Sequence, residues 1–133
     1  MTSMITITST MIDADHQTFW QAANQGKLML KRCIDSGRPF YPPRRFSPFS
    51  GSERTDWIEA CGRGSLYSFS QTWRNGVEHC LAYIELAEGP IIMSNLIDYQ
   101  SDAIVIGMAV ELRFVVDPRG QHIPVFTPVR LRS

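Results

Sequence analysis

The residues of this chain best placed to hold a metal lie between Cys33 and Gly51. Cys33-Ile34-Asp35-Ser36-Gly37 and Ser47-Pro48-Phe49-Ser50-Gly51 repeat one spacing. With cysteine at Ser36, Ser47 and Ser50 they would be two Cys-x-x-Cys-Gly knuckles, whose four thiolates close a tetrahedron around a structural zinc ion. Only Cys33 keeps its thiol. A serine hydroxyl stays protonated near neutral pH and is a far poorer ligand than a thiolate. The stretch therefore reads as a zinc ribbon that has lost its zinc, and neither zinc nor another cofactor is expected.

A second set of residues suits recognition rather than coordination. Tyr41, Arg44, Arg45 and Phe46 interleave rings with guanidinium groups, and Trp73-Arg74 ends a strand-like run. Eleven of the thirteen basic residues are arginine, which favours bidentate grips on carboxylate or phosphate over a diffuse ammonium field. Such a set can stack on an adenine ring and hold the phosphates of coenzyme A. It can equally bind single-stranded nucleic acid, whose bases stack on aromatic side chains. The blander reading makes Tyr41 and Phe46 ribbon core and the arginines a solvated rim.

Nothing comparable points to catalysis. His16, His79 and His122 have no spacing that makes a metal pair, and Cys61 and Cys80 have no histidine nearby in sequence. Free cysteine is most often a small buried hydrophobe. Glu88, Asp98 and Asp102 fall in turns. Gly62-Arg63-Gly64 lacks the third glycine of a phosphate loop and leads into a strand. No catalytic residue is assigned.

Several elements must carry these groups. Asp13 or Asp15 can cap a helix over Gln17–Asn24, with Phe19, Trp20 and Ala23 on one side and Gly26 as its stop. That aromatic face docks either on its own domain or on a partner. Leu28, Leu30 and Arg32 alternate with Met29 and Lys31 as a strand leading into the ribbon. The ribbon has few aliphatic residues, so Phe40, Tyr41, Phe46, Phe49 and Trp57 are expected to replace the metal as its core, and it should be the least stable part of the molecule. From Gly62 the pattern has period two, with Tyr67, Phe69 and Trp73 on one face and Ser68, Ser70 and Thr72 on the other. Asn75-Gly76 marks a hairpin. Further strands follow over Cys80–Leu86, Pro90–Leu96, Val110–Val116 and Ile123–Val129, a count and spacing that suit a small barrel. The expected division is an arm and helix over 1–26, a ribbon over 27–60 and a five-stranded barrel over 61–133.

Composition limits the partners. The chain has 133 residues, 44% of them hydrophobic, with 13 acidic and 13 basic side chains and a net charge of zero. That balance argues against a nucleic-acid partner, because non-specific affinity comes from neutralised phosphates. Seven of the basic residues and only two acidic ones fall between Lys27 and Thr55, so a positive ribbon sits on a mildly acidic body. Three widely spaced cysteines make no disulfide framework, and no secretion signal or long apolar run is evident, so a cytoplasmic protein without membrane contact is expected.

Cys33 to Ser50, the Phe19-Trp20 helix before it and the Gly62-Arg63-Gly64-Ser65-Leu66-Tyr67-Ser68-Phe69 run after it resemble one family, long defined only as a domain of unknown function. Its members are small accessory proteins with a rubredoxin-like zinc ribbon followed by an OB-fold. The resemblance runs from about Asp15 to Pro128 and departs at the three missing cysteines. It implies a mainly β fold: an N-terminal helix, a zinc-less ribbon and a five-stranded Greek-key OB barrel. It also implies a non-catalytic accessory subunit of a thiolase-like complex acting on acyl-CoA, which supports acyl-CoA binding and assembly of the active site. The implied partners are a thiolase-fold subunit and acyl-CoA itself, with self-association left open. A single-stranded nucleic-acid-binding OB protein is the alternative. The residues expected at the ligand or partner surface are Trp20, Tyr41, Arg44, Arg45, Phe46, Trp73 and Arg74, and the vestigial metal positions are Cys33, Ser36, Ser47 and Ser50.

Overall fold

A computed structural model describes residues 14–129. The expected roles of Asp13 and of the first ten residues lie outside them. Among the described residues one helix, α1 (Ala14–Ala23), precedes eight strands. A small sheet is built from β1 (Met29–Cys33), β2 (Pro39–Phe40) and β3 (Thr55–Glu59), in the order β2-β1-β3. A closed barrel follows, made of β4 (Arg63–Arg74), β5 (Val77–Leu86), β6 (Ile91–Leu96), β7 (Ala109–Val116) and β8 (His122–Pro128), in the order β4-β5-β6-β8-β7. The fold is thus mainly β, with the ribbon and five-stranded barrel that the pattern implied. β3 was not foreseen: Thr-Asp-Trp-Ile-Glu shows no clean alternation, and it becomes a strand because β1 pairs with it over five residues, Met29↔Glu59 to Cys33↔Thr55.

The helix settles its own alternative. Phe19, Trp20 and Ala23 are 2%, 4% and 1% exposed and lie in one apolar cluster with Leu28 and Leu30 of the ribbon and Leu66, Ile84 and Phe126 of the barrel. Its aromatic face docks on its own domain, and Trp20 is not available to a partner. Polar contacts hold its last turn to the β7–β8 turn: the Gln121 amide donates to the Trp20 carbonyl at 3.1 Å, and the His122 N–H donates to Asn24 Oδ1 at 2.9 Å. At its first turn Asp15 receives Lys31 Nζ at 3.1 Å, an ammonium that is buried and also reaches the Arg44 carbonyl at 3.2 Å.

The barrel departs from strict alternation at one place. Leu66 pairs with Ile84 but Ser68 pairs with Tyr83, so Tyr67 is an extra residue in β4. A bulge of this kind shifts the inward set by one position. Leu66 and then Phe69 face the core, whereas Tyr67 is 54% exposed and Trp73 is 70% exposed. The expected aromatic face of Tyr67, Phe69 and Trp73 is therefore split. Gly64 leaves no room for a side chain against β5: a Cβ there would stand 2.7 Å from the Glu85 carbonyl oxygen and 2.8 Å from Ile84 Cγ2. Any side chain at this second position of the strand would collide with β5. The Asn75-Gly76 hairpin turn has positive φ at both positions, 52° and 76°. No helix among the described residues is long and apolar enough to cross a membrane.

Candidate functional site

The two knuckles keep matching backbone geometry although three of their four thiols are gone. Gly37 N–H donates to the Cys33 carbonyl at 2.7 Å, and Gly51 N–H donates to the Ser47 carbonyl at 2.9 Å. Both glycines have positive φ, 73° and 76°, which a side chain would strain. Ser36 N–H points at Cys33 Sγ at 3.4 Å, and Ser50 N–H points at Ser47 Oγ at 3.2 Å. Cys33 N–H reaches the Arg38 carbonyl and Ser47 N–H the Ser52 carbonyl, at 2.9 and 2.8 Å. Cys33 and Ser47 thus hold equivalent places in two related turns, as do Ser36 and Ser50.

Between the turns the hydroxyls converge on sulfur. Ser50 Oγ lies 3.5 Å from Cys33 Sγ and 3.2 Å from Ser52 Oγ. Hydrogen bonds from the Ser36, Ser47 and Ser50 hydroxyls favour the thiolate, and they outweigh burial in drawing the Cys33 thiol down to about 6. One thiol with three hydroxyls does not fit a tetrahedral zinc–thiolate centre. No group of three or more His, Cys, Asp or Glu among the described residues could hold a metal ion. The surrounding ribbon is laced with ion pairs instead. Arg54 Nε donates to Asp35 at 2.8 Å, Arg45 Nε to Glu53 at 2.6 Å and Arg32 to Asp56 at 2.6 Å. The guanidinium partners hold the Asp35 and Asp56 carboxyls below the usual carboxylate range.

The expected ribbon core is only partly realised. Phe40 is buried, Trp57 packs against the main cluster, and Tyr41 packs on Phe19 with ring centroids 5.7 Å apart. Burial raises the Tyr41 hydroxyl to about 12. Phe46 and Phe49 are 52% and 40% exposed and do not fill the space a metal would occupy. Both carry cations: Arg45 lies 5.6 Å from the Phe46 ring centre, and Arg38 lies 3.9 Å from that of Phe49. Phe46 therefore belongs to the rim, where it is exposed beside Arg45.

A cavity of about 410 Å³ opens between the second knuckle and the β5–β6 turn. Its ribbon side presents Arg38, Tyr41, Arg44 and Phe49, and its barrel side presents Glu88 and Ile91. Glu88 is fixed there by accepting the Cys61 N–H on Oε2 at 2.8 Å, while Oε1 is buried with no hydrogen-bond partner among the described residues. Of the residues expected at a surface site, Tyr41 and Arg44 line this cavity. Arg45 and Phe46 lie outside it, Trp20 is in the core, and Trp73-Arg74 sits at the tip of the β4–β5 hairpin. Arg38, Glu88 and Ile91 were missed as site residues, since no local spacing links a knuckle to a turn fifty residues further along the chain.

Comparison with known proteins gives consistent results. Residues 20–55 match the ChsH2 rubredoxin-like zinc ribbon domain, and residues 57–115 match the ChsH2 C-terminal OB-fold domain. A probable enoyl-CoA hydratase alpha subunit of Thermomonospora curvata is 31% identical over 122 residues, 88% of this chain. This chain spans only 38% of the length of that relative. A DUF35 domain-containing scaffold protein of Pyrococcus furiosus is 24% identical over 71% of this chain and 74% of its own length. Among solved structures, a chain of an Ltp2-ChsH2(DUF35) aldolase superposes with a TM-score of 0.78 at 32% identity, covering 89% of this chain and 97% of that one. A DUF35 protein of unknown function from Sulfolobus solfataricus superposes at 0.66 with 11% identity and shares the fold.

Proposed function

Because this chain belongs to the family of ChsH2-type zinc ribbon and OB-fold proteins, we propose that it is a non-catalytic accessory subunit of a thiolase-like complex acting on acyl-CoA esters. The observation that carries this reading is the 0.78 superposition on a chain of an aldolase described as Ltp2 with ChsH2, over almost all of that chain. Relatives named as scaffold proteins support a helper role, and the relative named as a hydratase subunit supports an acyl-CoA setting. In this reading the ribbon works without zinc, held by its serine hydroxyls and ion pairs, and the protein acts in the cytoplasm. Three unpaired thiols accord with a reducing compartment.

The site's chemistry supports a non-catalytic role. The Cys33 sulfur is buried among serine hydroxyls, and the Cys80 thiol points to a backbone carbonyl and is pushed up to about 11 by burial and the Glu78 charge. Neither has a general base beside it of the kind nucleophilic catalysis needs. The partner would supply the nucleophile, and this chain would supply surface at the acyl-CoA entrance.

Co-expression with a thiolase-fold enzyme encoded beside it, followed by size-exclusion chromatography and acyl-CoA turnover assays, is the direct trial. Co-elution with a gain in the partner's activity or solubility is expected, and no turnover by this chain alone. Separate elution at micromolar concentration with an unchanged partner rate would end the accessory-subunit reading.

A further inference from the structure

Most of the exposed apolar side chains of this molecule gather at two ends of unlike charge. At the ribbon tip Ile34, Phe46 and Phe49 face solvent. Arg38 and Arg44 are exposed there too, without a carboxylate partner among the described residues, whereas Arg32, Arg45 and Arg54 are paired with Asp56, Glu53 and Asp35. At the other end Tyr67, Val105, Ile106 and Val129 face solvent. Backbone bonds gather them: the Gly107 N–H donates to the Leu66 carbonyl at 2.7 Å, and the Val129 N–H to the Ala109 carbonyl at 3.0 Å. Over residues 65–79, 97–109 and 128–129, Glu78, Asp98 and Asp102 are acidic and only Arg74 is basic. A cavity of about 410 Å³ opens at this end, lined by Tyr99, Ile104, Met108 and Pro128 together with Asp98. The loop between β6 and β7 is held in place: Ser101 Oγ donates to Glu78 at 2.7 Å, and Gln71 Nε2 to the Ser101 carbonyl at 3.1 Å.

These two ends cannot cover each other within one molecule. The ribbon tip shares a cavity with Gly89 and Ile91, just past the end of β5, whereas Glu78, which holds the other loop, lies near its start. The ten residues of β5 set about 30 Å between them. Charge is divided the same way, with seven basic and two acidic residues between Lys27 and Thr55 and six basic and eleven acidic elsewhere. A molecule of zero net charge does not repel its own copies, and charges so divided turn a positive end toward a negative one. We propose that this chain associates head to tail with a second copy of itself. The Phe46 ring of one ribbon enters the cavity under the β6–β7 loop of the next barrel, with Arg38 and Arg44 beside Asp98 and Asp102. Such an interface is heterologous, so every pair keeps one free head and one free tail. Both surfaces belong to this chain, and the inference does not rest on the accessory-subunit reading.

Sedimentation velocity of the full chain, from micromolar to near-millimolar concentration, tests it. Reversible association is expected, and it should weaken as salt is raised, because screening acts on exposed charges. Phe46→Asp spoils the head and Ile106→Asp the tail. Both residues are exposed, and circular dichroism checks that each variant is folded. Each variant alone should associate about tenfold more weakly or worse, the effect of losing a central anchor. Mixed in equal amounts, the two should recover a dimer and stop there, since the intact head of one meets the intact tail of the other. The combined Asp98→Lys and Asp102→Lys variant should behave as Ile106→Asp does, without altering an apolar residue. Any of three results overturns the proposal: a chain that is monomeric at every concentration, association that salt and all the variants leave unchanged, or a mixture of the two spoiled variants that stays monomeric.

Discussion

The barrel and the ribbon hold their shapes by opposite means. In the barrel, β4 and β5 pair from Gly64↔Leu86 to Arg74↔Val77, and the interior is apolar, with Ala82, Ile84, Val125 and Phe126 fully shut from solvent. Order there comes from a closed ladder and a large buried area. The ribbon has strands of five, two and five residues, and two of its aromatic rings face solvent. Apart from Leu28 and Leu30, which join the shared core, order there comes from short-range hydrogen bonds at the knuckles and from ion pairs on the rim. Exposed pairs of that kind are worth about 0–1 kcal/mol each. The lesson is that the two knuckle turns keep matching backbone hydrogen bonds with hydroxyls at three of the four ligand positions.

The largest effect that would sharpen this contrast is restoration of the metal. The combined Ser36→Cys, Ser47→Cys and Ser50→Cys variant should take up about one zinc per chain by elemental analysis, because Gly37 and Gly51 keep the knuckle φ values. Structural zinc sites bind with apparent free energies of about 10–16 kcal/mol, so amide exchange in the ribbon should slow far more than in the barrel. The unmodified protein should carry no stoichiometric zinc and be indifferent to chelators. Zinc in the unmodified protein, or a variant that stays empty, would break the account of the knuckles.

Next in size is the element both regions share. Trp20→Ala removes the indole from the common cluster and should cost about 3–5 kcal/mol. Urea unfolding followed by circular dichroism and by fluorescence should show ribbon and barrel destabilised together. A barrel that keeps its midpoint while the ribbon melts would mean that the two do not depend on one core.

The smallest effect is a dependence on pH confined to the ribbon. The Cys33 thiol falls from 9.0 in its unperturbed state to about 6 when folded. Below about 6 it is neutral in both states and adds nothing. As pH rises toward 9 the unfolded chain binds more protons than the folded one, so stability grows, and the full contribution is present above 9. Amide exchange at Cys33 and Ser47 should therefore slow from pH 6 to 9 relative to the intrinsic rate, and Cys33→Ser should flatten that trend. An unchanged trend in the variant would remove the thiolate from the ribbon's support.

What could be read from the sequence follows from the range of each interaction. The knuckles were legible because glycine at a fixed offset from a ligand position encodes a backbone angle locally. The barrel strands and the Asn75-Gly76 turn were legible for the same reason, since alternation and turn chemistry act within a few residues. The bulge at Tyr67 was not, because register belongs to a pair of strands. The destination of Trp20 was not either, since an apolar helix face states that it will be covered but not by what. Arg38 and Glu88 escaped notice because only the folded chain brings their turns together, and Phe46 was misplaced because ring chemistry alone does not separate a core from a rim bound by arginine.

The core that spans helix, ribbon and barrel has a consequence for modularity. The two family segments meet between residues 55 and 57, and a boundary drawn there invites cutting and splicing. The apolar cluster ignores that seam: Trp20 and Leu30 on one side of it belong to the same buried cluster as Leu66 and Ile84 on the other. A barrel excised at Gly62 would bare a greasy scar and aggregate, and a ribbon grafted from a relative would have to bring its own matching helix. The unit that can be inherited, exchanged or fused to another enzyme is therefore helix, ribbon and barrel together.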